Sequence, residues 1–407
     1  MLKINPLSTL YVGIDVSSKS NYICALDFFK NKYINSSFAN NQPGAEELAL
    51  KILECLNQHP DLTMVVAALE STSVYSIHIA NYLSSCEELM RFKPYVFVLN
   101  PKCTANYKKS YIGLGKSDPI DAFVIADYAR AGNIESEPWR GSQFLALKRL
   151  TRHRLHLVEC MTREKTYLIS NLYLKFSELQ MLEGDDQPFC DIYGATSSSV
   201  LMEYLSPEEI LASSEENLIA FLAEKSCNRI KDISKTADLL KKAARDSYRL
   251  DKALYEPLNV SIASSFNCIE TFKREIKVID NAIEKEIKGL NPNAFIILQS
   301  IDGIGPVFAG GIIAEIGDIT AFHSSDALAK YAGLTWKSNQ SGDFYGEDTP
   351  MIKAGNRYLR YYLGEAANSM RKHNVEYGAY YRKKYNEVPK HQHKRALALT
   401  SRKFVRL

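Results

Sequence analysis

The spacing of apolar residues along the first third of the chain predicts a succession of strands and helices. Val12, Ile14 and Val16 alternate with Gly13 and Asp15, which is the period-two pattern of a strand. The same reasoning predicts strands over 10–16, 21–28, 33–38, 63–69 and 95–99, and helices over 43–56, 74–89 and 118–131. The fourth of these strands is an uninterrupted apolar run, which favours a central strand buried on both faces.

Four carboxylates lie at the ends of these predicted elements. Asp15 is near the end of the first strand, and Glu70 follows the fourth. Asp118 and Asp121 are three residues apart at the start of a helix, so their side chains share one face. Three strands followed by helix, strand, helix, strand and helix is the element order of an RNase H-like fold, in which acids at these places meet at bound metal. The four carboxylates therefore predict a site for Mg²⁺ or Mn²⁺, which prefer hard oxygen ligands.

The helix start also permits an interpretation without metal. Asp118 at the N-cap, Pro119 at the first helical position and Asp121 at the third would cap a helix by themselves. This explanation does not extend to Asp15 and Glu70, because aspartate is rare in strands and a buried, unpaired carboxylate is costly. The four acids taken together favour the metal site.

A basic segment lies between the last predicted strand and this helix. Residues 101–115 interleave lysines with tyrosines, a composition that suits contacts with phosphates and stacking on bases. Lys108, Lys109 and Lys116 are the candidate phosphate contacts. A solvated surface loop explains the same composition equally well.

Long helices dominate the middle of the chain. From residue 142, leucines recur at steps of three and four, and a second apolar seam runs over 262–290; both patterns indicate coiled-coil helices. Such helices pair either within one chain or between chains, and the pattern does not distinguish the two. Arg149 and Arg152 belong to the basic first half of the first helix and are candidate nucleic-acid contacts.

The last third carries a glycine turn and further basic residues. Gly303 and Gly305 lie between two predicted helices, in a helix-hairpin-helix-like turn whose backbone N–H groups can hold a DNA phosphate. A helix predicted from about residue 353 to 371 presents Lys353, Arg357 and Arg360, and the last two share a face that could bind a phosphate.

The distribution of charge and the cysteine content indicate which partners and which cellular compartment to expect. The net charge is only +3, yet residues 371–407 contain 11 lysines and arginines against two acidic residues. This tail favours a polyanionic partner, with solvated surface charge as the alternative. The eight cysteines form no C-x-x-C pair, which argues against zinc and disulfides and fits a reducing cytosol. Without a leader sequence or a run of about 18 apolar residues, we expect a cytoplasmic protein with no membrane contact.

These patterns predict three domains of α/β plus α class. We expect an RNase H-like (RuvC-like) domain over 1–140, a coiled-coil region over 141–290 with a helical insertion at about 184–257, and a mostly helical domain over 291–407. A basic helix predicted over 395–406 runs to the end of the sequence, and truncation of this tail stays open.

Several motifs resemble those of the DEDD transposases of the insertion-sequence one-ten family, relatives of the Piv pilin-gene invertase and of bridge-RNA-guided serine recombinases. The resemblance covers nearly the whole chain. It rests on Asp15, Glu70 and Lys116-Ser117-Asp118-Pro119-Ile120-Asp121-Ala122 in the N-terminal part. In the C-terminal part it rests on Ile301-Asp302-Gly303-Ile304-Gly305-Pro306, Tyr331-Ala332-Gly333-Leu334, Gln340-Ser341-Gly342 and Lys353-Ala354-Gly355-Asn356-Arg357-Tyr358-Leu359-Arg360.

The resemblance implies a site-specific DNA transposase or recombinase. Ser341 matches the family's nucleophile, which would form a transient phosphoserine link to DNA. The metal-binding tetrad would be Asp15, Glu70, Asp118 and Asp121, supplied by another protomer of a homodimer or homotetramer. A structured noncoding guide RNA is also implied, and the two coiled-coil seams are candidate assembly surfaces.

Some positions depart from the family pattern and leave other functions open. Asp343, Glu347 and Asp348 follow the serine where the family often has basic residues, and Ala354 stands where arginine is common. Ser338 is the alternative nucleophile. A RuvC-type structure-selective endonuclease would use the same tetrad with water and form no protein–DNA bond. A non-catalytic nucleic-acid-binding scaffold would need neither the tetrad nor the serine.

Overall fold

The chain divides into two compact units. The computed structural model describes residues 4–134, 138–139, 141–337, 340–341, 344–345 and 350–407, with the backbone alone at 340–341 and 344–345. The first unit extends to Ala146 and includes Gly317–Ala327, and the second comprises Leu147–Ile316 and Leu328–Leu407. Most of the predicted coiled-coil region and most of the predicted C-terminal domain therefore lie in one unit.

The first unit contains a five-stranded mixed sheet. Its strands are β1 (Thr9–Val16), β2 (Ser20–Leu26), β3 (Lys32–Ala39), β4 (Met64–Glu70) and β5 (Tyr95–Leu99), in the spatial order β3-β2-β1-β4-β5. The neighbours β1, β2 and β3 are antiparallel, whereas β4 is parallel to both β1 and β5. All five strands occur where the apolar pattern predicts them.

Helices pack on both faces of this sheet. They are α1 (Gln42–Gln58), α2 (Tyr75–Ser85), α3 (Glu87–Met90), α4 (Pro101–Lys108) and α5 (Asp118–Arg130). Val12 and Ile14 pack with α1 and α2, whereas Tyr11 on the other face of β1 packs with α5. Gly13 permits a close approach of α5, because a Cβ atom there would lie 2.2 Å from the carbonyl oxygen of Ala122. The face of β1 that carries Asp15 is therefore the face that α5 covers.

Two predictions for this unit are wrong in detail. The helix predicted over 74–89 is interrupted at Cys86, whose backbone is extended, so that α2 and α3 are separate. Residues 101–108 of the predicted basic loop form α4 instead. Asn100 caps this helix by accepting a hydrogen bond from the N–H of Lys102, and Pro101 occupies a first-turn position that needs no donor.

The second unit is mostly helical. Its long helices are α6 (Ser142–Lys175), which begins in the first unit, and α11 (Lys252–Leu290), and between them lie α7 (Ala195–Glu203), α8 (Pro207–Ala212), α9 (Glu215–Ser226) and α10 (Ile233–Asp246). Leu168 and Leu172 of α6 share one buried core with Ile262 and Phe266 of α11 and with the insertion helices. Part of each predicted seam is therefore covered within the chain. A coiled coil between the two seams stays a prediction.

The C-terminal part of the chain combines helices with short strands. It contains α12 (Pro292–Gln299), α13 (Pro306–Ile316), α14 (Ser325–Ala332), β6 (Thr335–Trp336), β7 (Gln340–Ser341), β8 (Phe344–Tyr345), β9 (Met351–Ile352), α15 (Arg357–His373), α16 (Val375–Asn386) and α17 (Gln392–Phe404). The glycine turn lies between α12 and α13, as predicted. The helix predicted from residue 353 begins only at Arg357, because Met351–Ile352 pair with β6 and Asn356 caps α15. No helix in the described part of the chain combines the length and apolarity needed to span a bilayer.

Lys175, at the end of α6, is a buried lysine. Its side chain is 1 % exposed, and its ammonium nitrogen donates a hydrogen bond of 2.6 Å to the carbonyl oxygen of Leu201. Burial lowers the pKa of Lys175 to about 8, and the nearby Glu209 offsets this only in part. Since the unfolded chain keeps a lysine pKa of about 10.4, the unfolded state binds more protons between pH 8 and pH 10. The free energy of unfolding should therefore rise with pH across this window.

We expect Lys175→Met to stabilise the second unit at pH 7. Removing the desolvated charge should raise the free energy of unfolding by about 1–3 kcal/mol and reduce the gain between pH 7 and pH 9.5. Urea unfolding followed by circular dichroism at both pH values measures the effect. Lys242→Met, an exposed lysine of α10, is the matched control. An equal pH dependence in Lys175→Met and the parent protein would contradict this prediction.

Candidate active site

Asp15 and Glu70 lie at the same edge of the sheet. They belong to the parallel neighbours β1 and β4, whose register pairs Ile14 with Leu69, one residue before each acid. Val66 and Ala68 pack on the α5 face, so the alternation of β4 directs Glu70 towards that face as well. The carboxyl ends of the two strands therefore bring the two acids next to each other.

Helix α5 brings the other two predicted carboxylates to this edge. Asp118 and Asp121 lie in its first turn. The N-cap is Ser117, whose side chain makes no capping hydrogen bond. The alternative in which Asp118 is the N-cap is therefore wrong. Asp15, Glu70, Asp118 and Asp121 are hereafter the acid cluster.

The electrostatics of Asp15 show that these four groups interact. Burial raises the pKa of Asp15 to about 6, and the negative charges of Asp121, Glu70 and Asp118 add to this rise. The positive charge of Lys108 acts in the opposite direction. The other three carboxylates therefore repel Asp15, which is the situation that a bound cation relieves.

Helix α4 holds two members of the acid cluster. The hydroxyl of Thr104 donates a hydrogen bond to Oε1 of Glu70. The ammonium group of Lys108 forms an ion pair with Oδ1 of Asp121, and both side chains are about a quarter exposed. Lys108 was predicted as a phosphate contact, but here it supplies the cationic partner of a carboxylate.

The acid cluster fits a hard divalent cation in its chemistry and charge. All four candidate donors are carboxylates, the ligand class that Mg²⁺ and Mn²⁺ prefer. Asp121 already binds a positive charge, the ammonium group of Lys108. Among the described residues, no three histidine, cysteine, aspartate or glutamate side chains are grouped closely enough to hold a metal ion in the present arrangement. Simultaneous coordination therefore requires these side chains to move closer together.

Asp127 is a fifth acid near this site that the sequence did not single out. It is fully buried and accepts hydrogen bonds from the hydroxyls of Tyr107, at 2.8 Å, and of Tyr111. Arg130 donates to it through Nε at 2.6 Å, and Lys30 lies 3.3 Å away. Burial alone would raise the pKa of Asp127, but these donors outweigh burial and hold the pKa below its usual value. Asp127 thus anchors the end of α4 and the turn that follows it to α5.

The predicted nucleic-acid contacts fall into two groups. Lys109, Lys116, Arg149, Lys353 and Arg357 are exposed, although Arg357 lies 3.4 Å from Glu159 in an exposed ion pair.

Arg152 and Arg360 have partners within the protein. Both nitrogens of the Arg152 fork donate to the buried carboxylate of Glu315, at 2.7 and 2.9 Å. Nη1 of Arg360 donates to the carbonyl oxygens of Ala332 and Lys353. These two arginines stabilise the structure around them, so Arg357 and Arg360 do not present a matching pair of free guanidinium groups.

The glycine turn packs against a neighbouring helix. Gly303 has a φ of +95°, and a Cβ atom there would lie 3.0 Å from the backbone nitrogen of Met370 in α15. A side chain at this position would be strained and would push α15 away.

The predicted nucleophile lies in a short hairpin. The backbone of Ser341 belongs to β7 and pairs with Phe344 of β8. The side chain of Ser341, together with Ser338, Gly342 and the acidic residues that follow, lies outside the described part of the chain.

Two family models match the chain in the regions that carry these features. A model for DEDD transposases of the IS110 type matches residues 12–177, and a model described as the transposase IS116/IS110/IS902 family matches residues 296–382. The first match contains the whole acid cluster, and the second contains the glycine turn and Ser341. The chain belongs to this family of transposases. The resemblance inferred from the motifs is thereby confirmed.

Relatives of this transposase include proteins of several bacteria. It is 25 % identical to the insertion element IS900 protein of Mycobacterium paratuberculosis, over 86 % of this chain and 82 % of that protein. It is 24 % identical to the insertion element IS116 protein of Streptomyces clavuligerus, over 82 % and 77 % of the two chains. A pilin gene-inverting protein of Moraxella lacunata is 26 % identical over 39 % of this chain and 46 % of its own. Membership of the family makes this transposase an enzyme that cuts and rejoins DNA.

Proposed function

We propose that this transposase binds Mg²⁺ or Mn²⁺ with Asp15, Glu70, Asp118 and Asp121 and uses this site to cut and rejoin DNA. The observation that carries the proposal is the convergence of two adjacent strand ends and the first turn of α5, where burial and the negative charges of the other three carboxylates raise the pKa of Asp15. The strand order and the position of α5 support an RNase H-like, RuvC-like fold for the first unit. A bound divalent cation would polarise the scissile phosphate and offset the charge that develops on it.

We assign the nucleophile to Ser341. Its oxygen forms a bond to phosphorus, the bond from phosphorus to one deoxyribose oxygen breaks, and the serine proton passes to the released DNA oxygen. Attack by another DNA hydroxyl on the phosphoserine reverses these steps and joins new strands. A serine hydroxyl is a weak nucleophile and needs activation, so the serine would depend on the acid cluster. The motif Gln340-Ser341-Gly342 supports this assignment.

Assembly brings the two halves of the reaction together. The motif resemblance supports a homodimer or homotetramer in which the acid cluster of one protomer serves Ser341 of another, with the predicted seams of α6 and α11 as assembly surfaces. It also supports a structured guide RNA. The name of the pilin gene-inverting relative supports recombination at specific sites, and such a reaction takes place in the bacterial cytosol, at the nucleoid. The predicted domains at 1–140, 141–290 and 291–407 are the functional parts of this proposal.

The exposed basic residues are the proposed nucleic-acid contacts. Lys109, Lys116, Arg149, Lys353 and Arg357 have exposed side chains that can reach phosphates. The turn at Gly303 and Gly305 and the basic tail after Arg371 add backbone donors and positive charge. Replacing any one of these basic side chains by an uncharged one should weaken DNA binding and reduce its salt dependence together.

The test is to trap a protein–DNA adduct. The protein is incubated with Mg²⁺, with DNA that carries the two ends of the insertion element encoding it, and with RNA transcribed from the noncoding end of that element. The products are then separated under denaturing conditions. We expect an adduct that maps to Ser341 by mass spectrometry and that EDTA prevents. Cleaved DNA without an adduct would identify a RuvC-type nuclease that uses water. DNA binding without cleavage would identify a scaffold.

Lys108 should compete with the metal ion for Asp121. Replacing it by methionine removes a positive charge from the acid cluster, so metal affinity should rise about tenfold. The concentration of Mn²⁺ or Mg²⁺ that gives half of the rise in the thermal midpoint measures this affinity without any DNA. Lys109→Met, which removes an exposed charge from the next residue, should leave it unchanged. Metal binding equal to or weaker than that of the parent protein in Lys108→Met would refute the competition.

A further inference from the structure

Glu315, in the last turn of α13, is a buried carboxylate with several donors. It is 1 % exposed. Arg152 donates to both of its oxygens, Asn356 donates to Oε2 through Nδ2 at 2.7 Å, and Lys148 lies 4.0 Å away. Such a buried ion pair seldom stabilises a fold more than apolar residues of similar volume would. A buried carboxylate whose lone pairs are all engaged does restrict the orientation of its donors.

Asn356 uses every polar group of its side chain. Its Oδ1 accepts hydrogen bonds from the N–H groups of Tyr358 and Leu359, at 3.0 and 3.1 Å, and so caps α15. Its Nδ2 donates to Glu315 and to the hydroxyl of Tyr331, at 2.7 and 3.2 Å. Its backbone N–H donates to the carbonyl oxygen of Tyr331 at 2.7 Å. Capping alone requires only Oδ1, so the amide nitrogen serves a second purpose.

These contacts close the base of the segment that contains Ser341. Strands β6 and β9 pair at the two ends of this segment, and the N–H of Lys337 donates to the carbonyl oxygen of Pro350 at 3.0 Å. Just outside the paired strands, the hydrogen bonds between Asn356 and Tyr331 connect the stretch of chain that enters this segment with the stretch that leaves it. Gly355 makes this junction possible, because a Cβ atom there would lie 2.5 Å from the carbonyl oxygen of Tyr331.

We propose that Glu315 and Asn356 are positioning residues for the serine nucleophile. Glu315 holds the amide of Asn356 in one orientation, and Asn356 then fixes the paired strands β6 and β9, at the base of the segment that contains Ser341, on α15. The rigid base presents Ser341 to the scissile phosphate. This inference rests on the proposed role of Ser341, and an error of about 1 Å in such a position can slow a reaction about 100-fold.

The test removes the hydrogen bond from Asn356 to Glu315 and then restores it with donor and acceptor exchanged. Aspartate caps a helix as well as asparagine does, so Asn356→Asp keeps the cap of α15 but sets a carboxylate against Glu315. We expect serine–DNA adduct formation to slow about 100-fold, with DNA affinity unchanged and the protein fully folded at the assay temperature. Adding Glu315→Gln supplies an amide donor to the new carboxylate and should restore the rate to within about tenfold of the parent.

A control and a second measurement separate positioning from stability. Asn291 caps α12 through the same type of contact, so Asn291→Asp should leave the rate unchanged. In a Trp139→Phe background, acrylamide quenching reports on Trp336 of β6, and Asn356→Asp should make that residue more accessible. An unchanged rate and unchanged quenching in folded Asn356→Asp would overturn the inference. If the parent forms no adduct, the proposed function and the positioning role fail together, even where quenching shows that Asn356 orders β6.

Discussion

Replacing Ser341 by alanine is expected to abolish the covalent protein–DNA adduct and strand exchange. No other group could take over the bond to phosphorus at that position, so the rate should fall on the order of 10⁴-fold or more, as it does when an enzyme loses its nucleophile. DNA affinity should remain close to that of the parent, because the change removes a single oxygen. Denaturing gels with end-labelled DNA measure adduct and exchanged strands in one experiment.

Ser338→Ala is the matched control for this experiment. It removes the same atom from a serine three residues away and should retain the adduct. If Ser338→Ala loses the adduct and Ser341→Ala keeps it, the nucleophile is Ser338. If Ser341→Ala still cuts DNA at the parent rate and no adduct forms in any variant, the enzyme uses water.

Replacing Asp118 or Asp121 by asparagine should remove the metal-dependent DNA cutting that we propose. Asparagine keeps the size of the side chain and the first turn of α5 but removes a negative charge that the cation requires. We expect a loss of about 10³-fold in strand cutting, comparable to the loss of strong electrostatic stabilisation in other active sites. The metal-dependent rise in thermal midpoint should shrink in parallel, which separates lost binding from lost chemistry.

Asp61→Asn is the control for the charge change itself. Asp61 is an exposed acid of the same unit, outside the acid cluster, so strand exchange and the metal response should match those of the parent. Retention of full strand exchange in both Asp118→Asn and Asp121→Asn would contradict a catalytic acid cluster. The acids would then serve only charge balance, and the groups that cut and rejoin DNA would lie elsewhere in the protein.

Local periodicity was sufficient to predict the two strands and the helix that carry the acid cluster. The alternation of Val12, Ile14 and Val16 with Gly13 and Asp15 sets the face of β1, because side chains on a strand point alternately to its two sides. The same rule places Glu70 on that face. The spacing of Asp118 and Asp121 sets them on one side of α5. Each of these inferences needs only a few neighbouring residues.

Helix α4 and the start of α15 were missed for a different reason. At both places the start of the helix depends on a capping asparagine, Asn100 or Asn356, and on the conformation of the residues before it. Met351–Ile352 belong to a strand only because β6 lies beside them. Periodicity alone does not reveal such a partner.

The sequence alone thus predicted on which face of its strand or helix each of Asp15, Glu70, Asp118 and Asp121 lies, because residue type and spacing set this short-range geometry. Only the tertiary fold determined which side chains pair with buried carboxylates. Thr104 and Glu70 are 34 residues apart, and Arg152 and Glu315 are 163 residues apart. With 50 basic and 47 acidic residues in the chain, many pairings are compatible with the composition. Only packing selects one, because the energy of a charge pair depends on distance and burial rather than on order along the chain.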